Sequence, residues 1–196
     1  MDFKEVVRRR RMVRHFTDEP IDAETIKRIL DLARRAPSAG YTQGQSWVVV
    51  TQPDLKHKIA DLCGEEGYVE SGFHHFISGA PVLLVPCTSE AAYHRRYQEP
   101  DKIMDDGSEI VWPVPYWFMD IGCATMITLL AAVDEGLSAG FAGVHDLAAL
   151  RALLNIPDEI TPMGIIPVGH RAPDKPSPSL KRGRKTIEEV THWERW

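Results

Sequence analysis

The stretch Pro81-Val82-Leu83-Leu84-Val85-Pro86 decides the fold of this chain. Four apolar residues, two of them β-branched, lie between two prolines, and this pattern predicts a short strand that is buried on both faces. Upstream, Trp47-Val48-Val49-Val50-Thr51 has the same character and predicts a second buried strand. Residues 138–142 and 163–168 predict two further strands. The chain therefore contains a small sheet whose strands are widely separated in sequence.

Helical patterns lie between these strands. Asp2 is the expected N-cap of a first helix that ends in the arginine run 8–11, and Asp22 is the expected N-cap of a second helix. Pro53 predicts the start of a third helix. Residues 118–133 are apolar nearly all round, which predicts a helix covered on every side by its own domain or by a partner subunit.

Size and composition fit one globular domain. The chain has 196 residues, of which 43% are hydrophobic and 26% charged, close to the averages for soluble proteins. Helices and strands alternate, the strands are few and no repeat is present. We therefore predict a single α+β domain over residues 1–196, built as a three-layer sandwich with helices on both faces of the sheet.

Charge and targeting signals limit the cellular partners. The formal net charge of −5 argues against a nucleic-acid binder that depends on overall positive charge. A local nucleic-acid contact through residues 8–14 stays open as an alternative. The N-terminus is charged from its first residues, and acidic residues interrupt the apolar stretch 116–137. The three cysteines are widely spaced, which favours free thiols in a reducing compartment. We predict a cytoplasmic protein with no membrane or nucleic-acid partner.

Common catalytic and metal-binding motifs are missing. The sequence has no phosphate-binding P-loop, zincin or serine-hydrolase motif, and no zinc-finger spacing. His74 and His75 are adjacent and point to different faces of an element, so we predict no metal site. The glycines at 136, 140 and 143 do not have the spacing of a dinucleotide fingerprint.

Two basic clusters lie at opposite ends of this acidic chain. They are Arg10-Arg11-Met12-Val13-Arg14-His15-Phe16 and Lys181-Arg182-Gly183-Arg184-Lys185. Arginine forks bind phosphate oxygens in pairs, so convergence of the clusters would suit a small phosphorylated ligand. The alternative is that residues 8–11 form only the solvated, dipole-matched end of the first helix.

The first cluster resembles the Arg-Arg-Ser-x-Arg-x-Phe opening of the nitroreductase-like flavoproteins. Ala36-Pro37-Ser38-Ala39-Gly40 follows at the spacing of that family. Several looser matches come in the same order along almost the whole chain: Ala80-Pro81-Val82, Asp120-Ile121-Gly122, Gly136-Leu137, Leu154-Asn155-Ile156-Pro157, and Arg184 with Ile187-Glu188-Glu189-Val190. The chain is thus similar to that family from end to end.

The resemblance implies an FMN-dependent oxidoreductase with NADH or NADPH as electron donor. It further implies a mostly antiparallel central sheet and a homodimer that binds FMN at the subunit interface and exchanges its C-terminal tails, here residues 171–196. No side chain need act as a catalytic acid or base, because the cofactor carries the hydride chemistry. The cofactor-binding positions carried over are Arg10, Arg11, Met12, Arg14, Pro37, Ser38, Ala39, Gln43, Ala142, Gly143, Arg182 and Arg184.

The resemblance also implies roles for most of these positions. Arg10, Arg182 and Arg184 would hold the FMN phosphate, and Arg14 would lie near the ring edge where charge develops. Residues 37–39 would pass under the ring and Gln43 would bond to ribityl or ring-edge groups. Ala142 and Gly143 would present backbone N–H groups to the flavin N5.

Two departures leave alternatives open. Met12 replaces a hydroxyl and Tyr41 an asparagine that the family uses toward FMN, so the chain could bind flavin without turning it over, as a carrier or sensor. The implied reaction is reduction of nitroaromatic or quinone-like acceptors by a ping-pong mechanism, with a reductive dehalogenase or a flavin-consuming relative as alternatives. Residues 89–115, rich in tyrosine, arginine and tryptophan, are predicted as a lid-like insertion that selects a small aromatic substrate, with a structural loop as the alternative.

Overall fold

A computed structural model describes residues 1–196 and contains one five-stranded sheet. The strand order is β1-β2-β5-β3, β4 also pairs with β2, and every pairing is antiparallel. The strands are β1 (Gln45–Val50), β2 (Val82–Thr88), β3 (Ser138–Ala139), β4 (Thr161–Pro162) and β5 (Ile166–Gly169). The predicted α+β class with a mostly antiparallel sheet is confirmed.

Eight helices surround the sheet. They are α1 (Phe3–Arg9), α2 (Ala23–Ala33), α3 (Pro53–Leu62), α4 (Glu65–Glu70), α5 (Glu90–Tyr97), α6 (Tyr116–Asp134), α7 (Leu147–Leu153) and α8 (Ile187–Val190). Asp22 caps α2 as predicted, since its carboxylate accepts a hydrogen bond from the Thr25 amide at 2.8 Å. Asp2 precedes α1 but makes no capping bond with its side chain. The helix α1 ends at Arg9, so Arg10 and Arg11 lie beyond it.

The side chains of β2 divide the interior into two cores. Leu83 and Val85 pack with residues of α3 and α7, whereas Val82 and Leu84 pack with residues of α2 and α6. All four side chains are at most 2% exposed. Because successive strand residues point to opposite faces, this alternation places helices on both sides of the sheet and confirms the three layers.

The long helix α6 contacts α2 and the strands β1, β2 and β3, so it is a core helix of this domain. Its length and mean hydropathy alone would also suit a membrane span. One stripe stays uncovered, formed by Phe118, Met119, Cys123 and Met126, each at the surface of the chain. The expectation of cover on every side is thus met within the chain for all but this stripe, and cover by a partner stays a prediction.

Part of the predicted lid-like segment is regular structure. The helix α5 occupies its beginning, capped by Ser89, whose side chain accepts from the Ala92 amide at 3.2 Å. Residues 98–115 follow without a helix or strand. In the tail, a 3-10 helix (Pro178–Arg182) and α8 leave Trp193 and Trp196 exposed by 83% and 101%.

Candidate functional site

A cavity of about 400 Å³ lies between the first basic cluster and the start of the tail. This volume is within the range of small-molecule sites, about 300–1,000 Å³. The wall carries five arginines beyond α1, one lysine and one carboxylate. The lining residues are Arg10, Arg11, Met12, Val13, Arg14, Arg171, Asp174, Lys175, Pro176, Ser177, Ser179, Leu180 and Arg184.

Backbone hydrogen bonds bring the two chain ends together at this cavity. The Val13 amide donates to the Ala139 carbonyl at 3.1 Å, which adds the first cluster to the sheet edge beside β3. The Arg14 amide donates to Oδ2 of Asp174 at 2.8 Å, and the Ala172 amide donates to the His15 carbonyl at 3.1 Å. The start of the tail therefore runs beside the first cluster.

Two polar atoms in the cavity wall are buried without a partner. Nη1 of Arg10 and Oδ1 of Asp174 make no hydrogen bond in the chain. A buried donor that the protein leaves unpaired is costly, and in a cationic cavity it is a site for an anion. The guanidinium of Arg14 lies over the rings of Phe73 and Phe76, at 5.4 and 6.0 Å from their centroids, which holds its charge in place.

The structure brings together some of the predicted cofactor-binding residues. Arg10, Arg11, Met12, Arg14 and Arg184 all line the cavity. Arg182, the last residue of the 3-10 helix, does not line it. Sequence analysis missed three charged residues of the wall. Arg171, Asp174 and Lys175 lie in the Pro- and Lys/Arg-rich tail, and that composition was their one signal.

The predicted residues of the Pro-Ser-Ala-Gly turn lie elsewhere. The Ala39 amide donates to Oδ2 of Asp120 at 2.8 Å, near the start of α6, and the Gln43 amide donates to the Ser38 hydroxyl at 2.9 Å. The cavity lining includes none of the predicted turn residues Pro37, Ser38, Ala39 and Gln43. The N-terminus of the chain pairs with Asp134 at the other end of α6, and no residue of α6 lines the cavity. Along a helix, these two contact points are about 20 Å apart.

The predicted amides of Ala142 and Gly143 differ in availability. The Ala142 amide donates to the Ile165 carbonyl at 2.8 Å, and the Ile165 amide returns a bond to Ala142 at 2.9 Å. This pairing corrects the prediction for Ala142, whose N–H is already used inside the sheet. The Gly143 amide makes no hydrogen bond in the chain, and nothing lies within 4 Å of where a Cβ would stand. Only Gly143 thus offers a free backbone donor.

The aromatic side chains of residues 89–115 form one cluster. Trp112 contacts Tyr93, Tyr97 and Trp117, with ring centroids 4.5 to 6.2 Å apart. Its indole N–H donates to Glu109 at 2.5 Å, and the same carboxylate oxygen bonds to His94 at 2.6 Å. The hydrogen bond to Glu109 raises the pKa of His94. This cluster attaches the far end of the segment to α5.

Comparison with known proteins gives one consistent result. Residues 7–170 match the model of the Nitroreductase family. An iodotyrosine deiodinase from Nematostella vectensis is 29% identical over 203 residues, covering 96% of this chain and 74% of its own length. An FMN reductase (NAD(P)H) from Bacillus subtilis is 26% identical over 200 residues, covering 94% and 70%. The crystal structure of a nitroreductase family protein from Streptococcus pneumoniae TIGR4 aligns with a TM-score of 0.76 at 22% identity, over 97% of this chain and 99% of that one.

Proposed function

Because the chain belongs to the nitroreductase family and is an NAD(P)H-dependent flavin oxidoreductase, we propose that it binds FMN and reduces nitroaromatic or quinone-like acceptors by a ping-pong mechanism. The observation that carries the cofactor assignment is the buried, unpaired Nη1 of Arg10 in a cavity lined by arginines. A phosphate monoester supplies the acceptor oxygens that this donor lacks. The FMN reductase named above supports the same cofactor.

Different residues of the cavity contact different parts of the bound FMN. Arg10 and Arg184 hold the phosphate, with Arg11 beside them. The free amide of Gly143 lies outside the cavity lining and would donate to the flavin ring. Arg14, fixed against its two aromatic rings, stabilises negative charge that develops on a bound ligand. When bound, FMN supplies the ring that accepts hydride from NADH or NADPH and passes it to the acceptor.

We also propose that a second copy of the chain completes the site. In one chain, the turn at residues 37–43 contacts Asp120 of α6 and does not line the cavity. The exposed stripe of α6 and the exposed Trp193 and Trp196 supply apolar surface for a partner. A homodimer would cover these surfaces and place the turn of one protomer beside the cavity of the other.

Reductive dehalogenation is the second candidate reaction. The iodotyrosine deiodinase relative matches this chain over 96% of its length, so the choice of acceptor is open at the level of the family. A flavin-consuming reaction stays a third alternative. The donor assay described below tests whether the chain binds flavin without turnover. We further propose a cytoplasmic location, consistent with three free cysteines.

Flavin absorbance and FMN titration test this proposal. The purified protein is expected to carry a flavin band or to bind FMN with a Kd below about 10 μM. Anaerobic mixing with NADH or NADPH is expected to bleach the bound flavin, and a nitroaromatic, a quinone or a halogenated phenol added next should restore the colour at different rates. Absence of FMN binding would reject the cofactor, and bound flavin that neither donor bleaches would favour the carrier.

A further inference from the structure

One face of α5 packs against the turn at residues 38–44. Tyr93, Arg96 and Tyr97 are spaced i, i+3, i+4 and so share a face of the helix. Nε of Arg96 donates to the Gly40 carbonyl at 2.9 Å. Carbon atoms of the Tyr97 and Tyr93 rings lie 2.7 Å from where a Cβ would stand on Gly40 and Gly44. Both glycines thus permit a contact that any other residue would block.

The turn at residues 38–44 has a strained backbone. Gly40, Tyr41 and Gln43 have φ values of 62°, 57° and 55°, in the left-handed region that non-glycine residues seldom adopt. Tyr41 is 77% exposed, so its own side chain does not hold it in this conformation. A strained segment persists only where its surroundings fix it, and α5 supplies those surroundings.

The carboxylate of Asp120 joins the turn to α5. Its Oδ2 accepts from the Ala39 amide at 2.8 Å and from the Tyr93 hydroxyl at 2.7 Å. Tyr93 is 1% exposed, and burial followed by the bond to Asp120 raises the pKa of its hydroxyl, so the proton stays on Tyr93. A residue of the core helix α6 therefore fixes both partners through one oxygen atom.

We propose that Tyr93 and Arg96 are positioning residues that hold the strained turn in the conformation required for flavin binding. The proposal rests on the function proposed above. The predicted insertion then has two parts: α5 as a fixed support of the turn, and residues 98–115 as the part whose predicted role in selecting the acceptor is separate from that support. Arg96 is itself fixed, because its two terminal nitrogens each bond to Asp101 at 2.6 Å.

Two variants, each with a matched control variant, test the proposal. Tyr93→Phe removes the hydroxyl and keeps the buried ring, whereas Tyr97→Phe removes a hydroxyl that makes no hydrogen bond in the chain. Arg96→Met removes the bond to Gly40, whereas Arg95→Met removes an exposed pair with Glu159. Each pair changes the same residue type on the same helix.

Two measurements are made on each variant. The first is hydrogen exchange of the Ala39 amide in protein stripped of FMN, which needs neither cofactor nor activity. The second is the Kd for FMN. Tyr93→Phe and Arg96→Met are expected to speed the exchange at least fivefold and to weaken FMN binding about tenfold. The two control variants are expected to stay within twofold of the wild type in both measurements.

The outcomes separate this proposal from the proposed function. Unchanged exchange in Tyr93→Phe and Arg96→Met would overturn the support of the turn. Faster exchange with unchanged FMN affinity would overturn its role in flavin binding and leave only a structural contact. If wild-type protein binds no FMN, the proposed function and the positioning role fail together, whereas the exchange rates still decide whether α5 supports the turn.

Discussion

Replacing Arg10 by methionine tests whether the cavity serves an anion or the stability of the chain. Nη1 of Arg10 is buried and bonds to nothing in the chain, and a buried unpaired donor costs about 1–3 kcal/mol. Methionine keeps an apolar stem without that donor. The unliganded variant is therefore expected to be as stable as the wild type or more stable by about 1 kcal/mol, which is about 2–4 °C in Tm for a chain of this size.

The same change should weaken FMN binding strongly. A hydrogen bond to a charged group contributes about 1.5–3 kcal/mol, which corresponds to a Kd raised roughly 10- to 150-fold. A gain in stability together with a loss of affinity is typical of a residue kept for its ligand. The stability term comes from the unpaired Nη1, and the affinity term from the bonds that phosphate oxygens would make to it.

The assay is thermal unfolding with and without FMN, together with FMN titration. Arg8→Met is the matched control, because Arg8 is exposed on α1 and does not line the cavity. It should leave Tm within about 1 °C and Kd within about twofold. The reasoning is refuted if Arg10→Met lowers the Tm of the unliganded protein by several degrees while FMN affinity stays unchanged, since Arg10 would then be a structural residue.

Three further expectations concern the surfaces around the site. Because the pKa of His94 is raised by Glu109, the charged pair is fully present below about pH 6.5 and is lost as the pH rises through the raised value. Trp112 fluorescence should therefore change above that pH in wild type and stay constant in His94→Asn. Ending the chain at residue 191 removes Trp193 and Trp196 and should lower both dimer fraction and FMN content, measured by light scattering and absorbance. A shorter linker in place of residues 102–108 should leave FMN content within twofold while changing kcat/KM unequally between acceptors; equal changes would contradict a selective role.

The sheet was predictable because its strands are short apolar runs between turn residues. Each predicted strand overlaps an observed one, and the cap at Asp22 was also readable from local sequence. The helix α5 was not predicted, because Tyr93 is its one fully buried side chain and no apolar residues repeat at helical spacing around it. Its support comes from Asp120, a tertiary contact 27 residues away that no periodicity reveals.

The basic side chains of the site were easier to predict from the sequence than its carboxylate and its backbone amides. The family resemblance assigned Arg10 and Arg184 to one phosphate, and the cavity wall contains both residues. Asp174 was missed because a lone carboxylate in a basic tail has no distinguishing spacing. The family resemblance assigned the Ala142 amide to the flavin. Its bond to Ile165 was not foreseen, because that bond depends on strand register, which the sequence does not specify.

The order of strands in the sheet has a consequence for synthesis of the chain on the ribosome. β2 is buried along its whole length, yet β4 and β5, which cover one of its edges, begin only at Thr161 and Ile166. Until those residues have emerged, the nascent chain presents an apolar strand with one open edge, the surface through which chains aggregate. Pro86, inside β2, has no amide hydrogen to offer another strand, and it limits such pairing during that interval.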